Sequence, residues 1–134
     1  MTPQDLQQLL SDNFADWVRA LDLTVIGADA DHVLMRMPLG PHLARVGGIV
    51  SGQALAALAD TTMVLAAVAQ AGVFKPFATT DLHTQFLRPG TGSAILCRAE
   101  IVRAGKALVF ARAEMTEADS GKVVATATAT FYAP

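Results

Sequence analysis

From Val46 to Phe74 the chain carries a single charged residue, Asp60. A stretch this long and this apolar must either cross a membrane or be enclosed by the rest of the fold. Its composition points to the second. It is rich in Ala and Gly rather than Leu and Ile, and it contains Ser51, Gln53, Thr61, Thr62 and Gln70. Half-buried strand patterns flank it on both sides. The segment therefore reads as a helix wrapped by protein, beginning near Gly52 and running to about Ala71. Apolar residues from Ala54 to Ala69 cover nearly every side of it, as in a buried helix. Its many alanines let other elements approach closely, and Gly72 suits the terminator position.

The remaining segments supply the wrapping. An amphipathic helix is predicted from Pro3 to Leu21, with Thr2 as N-cap, Pro3 at the first helical position and Asp5 in the first turn. Leu6, Leu9, Leu10, Phe14, Trp17, Val18 and Leu21 form its apolar face. Two short strands follow, Leu23 to Ala28 and His32 to Leu39. They are joined by an Asp29-Ala30-Asp31 turn, and Val33, Met35 and Met37 alternate along the second. After the central helix come four strands: Phe77 to Leu87, Ser93 to Arg103, Ala107 to Glu117 and Lys122 to Tyr132. Pro89-Gly90-Thr91-Gly92, Ala104-Gly105-Lys106 and Asp119-Ser120-Gly121 separate them and read as hairpin turns of an antiparallel meander. In the last strand Thr126, Thr128 and Thr130 face opposite to Ala125, Ala127, Ala129 and Phe131. One α+β domain over residues 1–134 is expected, with the hotdog arrangement of a curled antiparallel sheet wrapped around a long central helix. A ferredoxin-like sandwich would need a second helix among the late strands, and none is there.

Composition narrows the function. Hydrophobic residues make up 52% of the 134 and charged residues 16%, enough apolar surface to bury some between subunits. The net charge of −2 and the lack of any Lys/Arg run argue against a nucleic-acid partner. The polar N-terminus lacks a signal pattern, so a cytoplasmic protein without a membrane partner is expected. Cys97 is alone and reads as a core residue. One Cys and three His at unrelated spacings give no metal site. No nucleophile elbow, phosphate loop or dinucleotide fingerprint occurs, so no cofactor is expected.

Asp60 is the strongest chemical signal, because an unpaired carboxylate in an apolar environment is costly and is normally paired, protonated or set in a pocket. The second signal is the glycine-rich helix start, Val46-Gly47-Gly48-Ile49-Val50-Ser51-Gly52. Free backbone N–H groups there can polarise a carbonyl, or the glycines can simply permit close backbone approach. Eight helical steps separate Gly52 from Asp60, about 12 Å along the axis. That is too far for both to act on one carbon within a protomer. Either one of them alone is catalytic, or an antiparallel pair of such helices brings Gly52 of one chain to Asp60 of another. His83 is placed on the strand face of Thr79 and Asp81, where a surface or inter-subunit hydrogen bond is preferred to a pocket role. Arg88, Arg103 and Lys106 lie at strand ends, either as a solvated rim or as contacts for phosphates.

The segment Gly48-Ile49-Val50-Ser51-Gly52-Gln53-Ala54-Leu55-Ala56-Ala57-Leu58-Ala59-Asp60-Thr61-Thr62 resembles the helix start of PaaI-like hotdog thioesterases, which hydrolyse phenylacetyl-CoA and other acyl-CoA esters. Thr79-Thr80-Asp81-Leu82-His83-Thr84-Gln85-Phe86-Leu87-Arg88-Pro89 is similar to the strand that follows in that family. The resemblance implies that Asp60 is the general base or the nucleophile. It implies that the Gly52 N–H polarises the thioester carbonyl from the opposing subunit, and that the Thr79 hydroxyl helps place water. Substrate contacts would come from Arg45, Gly48, Ser51, Gln53, Arg88, Arg103 and Lys106, the last three toward the CoA phosphates. The substrate is an acyl-CoA, CoA is the only cofactor-like moiety, and the expected assembly is a homodimer at minimum, pairing into a homotetramer. The chain departs from the family pattern at Ser51, where His is usual, at Gln53, where a second Gly is usual, and at Arg45, where many members have Asn. Two alternatives stay open: a non-catalytic acyl-CoA-binding protein, and an acyl-thioester dehydratase or hydratase on the same fold.

Overall fold

The computed structural model describes residues 1–134. Helix α1 (Pro3–Asn13) and a single turn, α2 (Asp16–Arg19), lead into strands β1 (Thr24–Ala28) and β2 (His32–Pro38). A 3-10 turn at Pro41–Leu43 precedes the long helix α3 (Gly52–Ala71). Strands β3 (Ala78–Phe86), β4 (Ala94–Ala104), β5 (Leu108–Glu117) and β6 (Val123–Tyr132) complete the chain. All six strands form one antiparallel sheet in the order β1-β2-β4-β5-β6-β3. Helix α3 packs across its inner face, chiefly on β4, β5 and β2. This is the hotdog fold.

The local chemistry of α3 matches its sequence. The Ser51 hydroxyl caps it by accepting from the Ala54 N–H at 3.2 Å. At the other end Gly72 takes a left-handed φ of 74° and returns its N–H to the Val68 and Ala69 carbonyls. Leu58, Met63, Leu65 and Ala66 are fully buried against Met35, Met115 and Phe131, each large side chain stabilising the fold by about 1.5–3 kcal/mol. The cover is not complete on every side. Gln53 is exposed, and Ala56, Ala57, Asp60 and Val64 are only half-buried. These positions recur at helical spacing and form one stripe turned away from the sheet. The helix is long and apolar enough to cross a membrane, but most of it is buried here.

Three expectations need correction. The N-terminal helix is not continuous to Leu21: α1 ends where Phe14 turns extended, with ψ near 155°. Asn13, a weak helix former, directs its side chain back to the Leu9 carbonyl. After the break Trp17 is 63% exposed instead of in the core, while Leu6, Leu10, Val18 and Leu21 are buried. The last four strands are not a simple meander. Only β4, β5 and β6 are consecutive neighbours, and β3 pairs with β6 at the far edge. Pro89-Gly90-Thr91-Gly92 is accordingly a crossover and not a hairpin turn. Gly90 is buried there, accepts from the Val50 N–H at 3.0 Å, and lies so close to Val50 that a Cβ would sit 2.7 Å from its Cγ1. The glycine serves close approach, which composition alone cannot tell from a turn.

The two sheet edges are finished differently. At β1 the Gln7 side chain donates to the Leu23 carbonyl at 3.0 Å and accepts from the Val25 N–H at 2.8 Å, so α1 closes that edge. At β3 nothing in the chain covers the outer backbone, and Leu82 and Phe86 are 36% and 53% exposed. Replacing Gln7 with Ala strands two part-buried backbone groups. A stability loss of about 1–2 kcal/mol is expected, measurable by urea titration, with Gln7→Glu restoring the acceptor half.

Candidate active site on the central helix

Asp60 sits on the half-covered stripe of α3. Its Oδ1 accepts a hydrogen bond of 2.9 Å from the Thr79 hydroxyl, 19 residues further along. The meeting depends on a β-bulge. Thr79 pairs with Phe131, whereas Asp81 pairs with Thr130, so the register slips by one between them. Partners directly opposite share a face. Thr79 therefore points inward with Phe131, toward the helix. Beyond the bulge Asp81, His83 and Gln85 point outward with Thr130, Thr128 and Thr126. The expectation that His83 shares the Thr79 face is thus corrected: alternation counted through Thr80 misses the extra residue.

Together Asp60 and Thr79 open into a cavity of ≈ 300 Å³ whose walls include Phe14, Val64, Lys75 and Phe77. Burial pushes the Asp60 carboxyl above its ordinary value, and the bond from Thr79 pulls partly back. Both effects act on the charged form: loss of water disfavours it, a donated hydrogen bond favours it. Sequence reasoning missed the walls of this cavity. Phe14 reaches it only because α1 breaks, and Lys75 and Phe77 only because the chain leaving Gly72 must run back along the helix to start β3.

The helix start forms a separate cavity of ≈ 370 Å³, lined by Arg45, Ile49, Gly52, Phe86 and Arg88 among others. It shares no residue with the Asp60 cavity. Gly47 and Gly48 take left-handed φ of 98° and 77°, conformations that favour glycine. The Phe86 ring lies over Gly52, where a Cβ would approach its Cζ to 3.3 Å. Ser51 gives its oxygen to the cap, and Gln53 projects outward. The first hydrogen-bonded amide of the turn is that of Ala54, which leaves the Gly52 and Gln53 N–H groups without partners in the chain. Arg88 donates to the Val123 carbonyl and Arg45 to the Val46 carbonyl, both at 2.8 Å. Arg103 and Lys106 stand on or beside the β4–β5 turn and line neither cavity. The structure thus brings together Asp60 and Thr79, and separately Gly52, Arg45 and Arg88. It does not bring the two groups together within one chain.

Cys97 and Glu100, whose thiol and carboxyl are also shifted, lie outside both cavities. Cys97 is fully buried, and burial drives its thiol up to about 12, so it is no nucleophile. Glu100 pairs with Arg112 and His32 on the outer face and is held low by them, Arg112 first. No cluster of three metal-ligating side chains exists.

The raised Asp60 carboxyl has a thermodynamic consequence. Because its folded-state value exceeds the unfolded one, the folded protein binds the proton more tightly. Its contribution to stability is most favourable below the unfolded value of 3.8 and declines as pH rises through the folded value. Above that range the charged carboxylate is a cost. Asp60→Asn is therefore expected to raise the melting temperature at pH 7, with the advantage shrinking as pH falls toward 4. Melting curves of both proteins across that range check it.

Comparison with known proteins gives the family. Residues 47–124, more than half of the chain, match the model of the Thioesterase superfamily. A Thermoplasma acidophilum protein classed provisionally as an esterase is 28% identical over 131 residues, covering 96% of this chain and 95% of its own. Among solved structures, a Haemophilus influenzae thioesterase superposes with a TM-score of 0.87 at 21% identity, over 98% of this chain and 90% of that one. Zebrafish thioesterase superfamily member 2 gives 0.84 at 21%, over 98% and 95%. PaaI of E. coli, from the phenylacetic acid degradation operon, gives 0.84 at 19%, over 100% and 96%. The matched region contains both the glycine-rich helix start and the Asp60–Thr79 pair. This chain belongs to the thioesterase superfamily and is a thioester hydrolase built on the PaaI-like hotdog fold.

Proposed function

We propose that the protein hydrolyses acyl-CoA thioesters at a site shared between two subunits, with Asp60 from one and the Gly52 N–H from the other. The observation that carries this reading is the separation just described. A carboxylate poised by Thr79 and a pair of free helix-terminal amides occupy different cavities of the same protomer. Each is half of what acyl transfer needs.

A second copy would supply the missing half. The open β3 edge, nine residues long and free of proline, is the natural place for it to dock. Antiparallel pairing of two β3 strands would cover Leu82 and Phe86 and lay the half-buried stripes of two α3 helices alongside each other in opposite directions. The charged outer face then remains for a further pairing of dimers. There Arg98 faces Glu114, and Glu100 faces Arg112, across the β4–β5 pair. This checkerboard is complementary to a copy of itself turned over.

In the shared site the thioester oxygen would accept from the Gly52 N–H, which gains strength as negative charge develops there. Asp60 would either take a proton from water as the water oxygen attacks the acyl carbon, or attack that carbon itself and release the acid through a mixed anhydride. In both routes the C–S bond breaks, the acid receives oxygen from water and sulfur leaves with a proton. The raised Asp60 carboxyl suits the first, since a stronger base accepts a proton more readily near neutral pH. Thr79 fixes one carboxylate oxygen and leaves the other free. Arg45 and Arg88, beside Gly52, would meet the phosphates of CoA.

Thiol release from short, medium, long and aromatic acyl-CoAs tests the activity. Turnover on some members, reduced about 10²–10⁴-fold in Asp60→Asn, is the expected result; binding of the panel without turnover would instead make the chain an acyl-CoA-binding protein. The sharing of the site has its own test. Gly52→Pro deletes the Gly52 N–H at a helix position that tolerates proline, and the exposed Phe86 ring must shift to admit the added ring atoms. Asp60→Asn and Gly52→Pro should each be inactive alone, while unfolding and refolding them together should restore about a quarter of wild-type activity, because half the dimers are mixed and each has one intact site. A mixture as inactive as its components would place both groups' work within one chain.

A further inference from the structure

Lys75 is the one charged group of the Asp60 cavity besides Asp60 itself, and the proposed acyl transfer does not use it. It follows α3 by four residues, between Phe74 and Pro76, and is half-buried. It lines the same cavity as Asp60, Thr79, Phe14 and Phe77. No carboxylate of the chain pairs with it, and its ammonium donates no hydrogen bond. Its stem lies along apolar walls and its ammonium, unpaired within the chain, is free to meet an anionic ligand group. The cavity is therefore incomplete in a specific way: apolar walls, a carboxylate at the reacting end, and an unanswered positive charge.

The direction of the substrate says what answers it. Arg45 and Arg88 stand with Gly52 at one end of the shared site, and Lys75 stands with Asp60 at the other. A thioester whose carbonyl lies between Gly52 and Asp60, and whose CoA runs toward the two guanidiniums, must send its acyl group into the cavity of Lys75. We infer that Lys75 is a specificity-determining residue, and that the acyl group is a short chain ending in a carboxylate. The methylenes would lie against Phe14 and Phe77 while the terminal carboxylate pairs with the Lys75 ammonium. Such a pair, formed beside apolar walls, discriminates against a methyl-ended chain, which would leave the ammonium without its anion. The inference rests on the acyl-CoA thioesterase reading, and it assigns Lys75 no part in the hydrolysis itself.

The experiment compares glutaryl-CoA and adipyl-CoA with hexanoyl-CoA as substrates of the wild-type protein, Lys75→Gln and Lys75→Arg. Wild type should favour the two carboxyl-ended esters. Lys75→Gln should lower kcat/KM for them by at least about tenfold, mainly through KM, and change hexanoyl-CoA by less than about twofold. Lys75→Arg, which keeps the charge, should recover most of the loss. An equal loss on all three esters would assign Lys75 to the common CoA moiety or to folding and overturn the inference, as would unchanged kinetics. A wild type that prefers hexanoyl-CoA would overturn it while leaving the thioesterase reading intact, and failure to cleave any CoA ester would remove both.

Discussion

A helix apolar on nearly all sides has to be covered on nearly all sides, and the rest of this structure follows from that requirement. The sheet supplies most of the cover. Its inner face is built from alternating residues of five strands, with Val33 and Met35 on β2 and Ala125 and Phe131 on β6 all buried. Alanines on the helix and on β5 and β6 keep the two layers close. What the sheet cannot reach is the stripe from Gln53 through Ala57 and Asp60 to Val64, which is only partly covered in the single chain. The chemical group lies on that stripe. Asp60, the proposed catalytic carboxylate, is the one charge of the helix, and burial raises its carboxyl.

Much of this was legible from residue order alone. The bounds of α3, its glycine stop and the alternation of β2 and β6 follow from periodicity and turn chemistry, because those signals are local. Asp60 stood out because a charge in an apolar run is costly wherever the run goes. What was not legible depended on long-range pairing. The position of β3 beside β6 is a pairing between segments far apart in the chain, which no local signal marks. The buried Gly90 of the crossover carries the same residue signature as a turn. The bulge at Thr80 reverses the facing of His83 without leaving a mark in composition. The break at Phe14 has a faint signal in Asn13, overridden in sequence by the apolar spacing that continues to Leu21. The family match begins at the glycine-rich loop and runs over residues 47–124.

The treatment of the two sheet edges separates structure from interaction. Gln7 satisfies the backbone of β1 from within the chain, through both ends of one amide group. The corresponding groups of β3 have no such cover, and the apolar side chains nearest them face the same side as the helix stripe. An edge left open beside the cavities of Asp60 and Gly52 is a different matter from an edge left open at random. In the proposed dimer stability and catalysis would draw on the same contact, so conditions that separate its subunits would remove activity before they unfold the chain.

The order of the strands also bears on when the site can exist. Thr79 lies only 19 residues after Asp60, but its strand is held by β6, the last strand of the chain. During synthesis β3 emerges long before the segment it pairs with, and until then it has no neighbour in the sheet. The hydroxyl that orients the Asp60 carboxylate is fixed only after the C-terminal strand closes on β5 and β3 adds to it. Local contacts can form α3 and the β4–β5 hairpin early, whereas pairing across such a separation must overcome a larger loss of chain freedom. A nascent or truncated chain that lacks β6 would keep most of its core-forming residues without the Asp60–Thr79 pair, which on this topology would assemble late in folding.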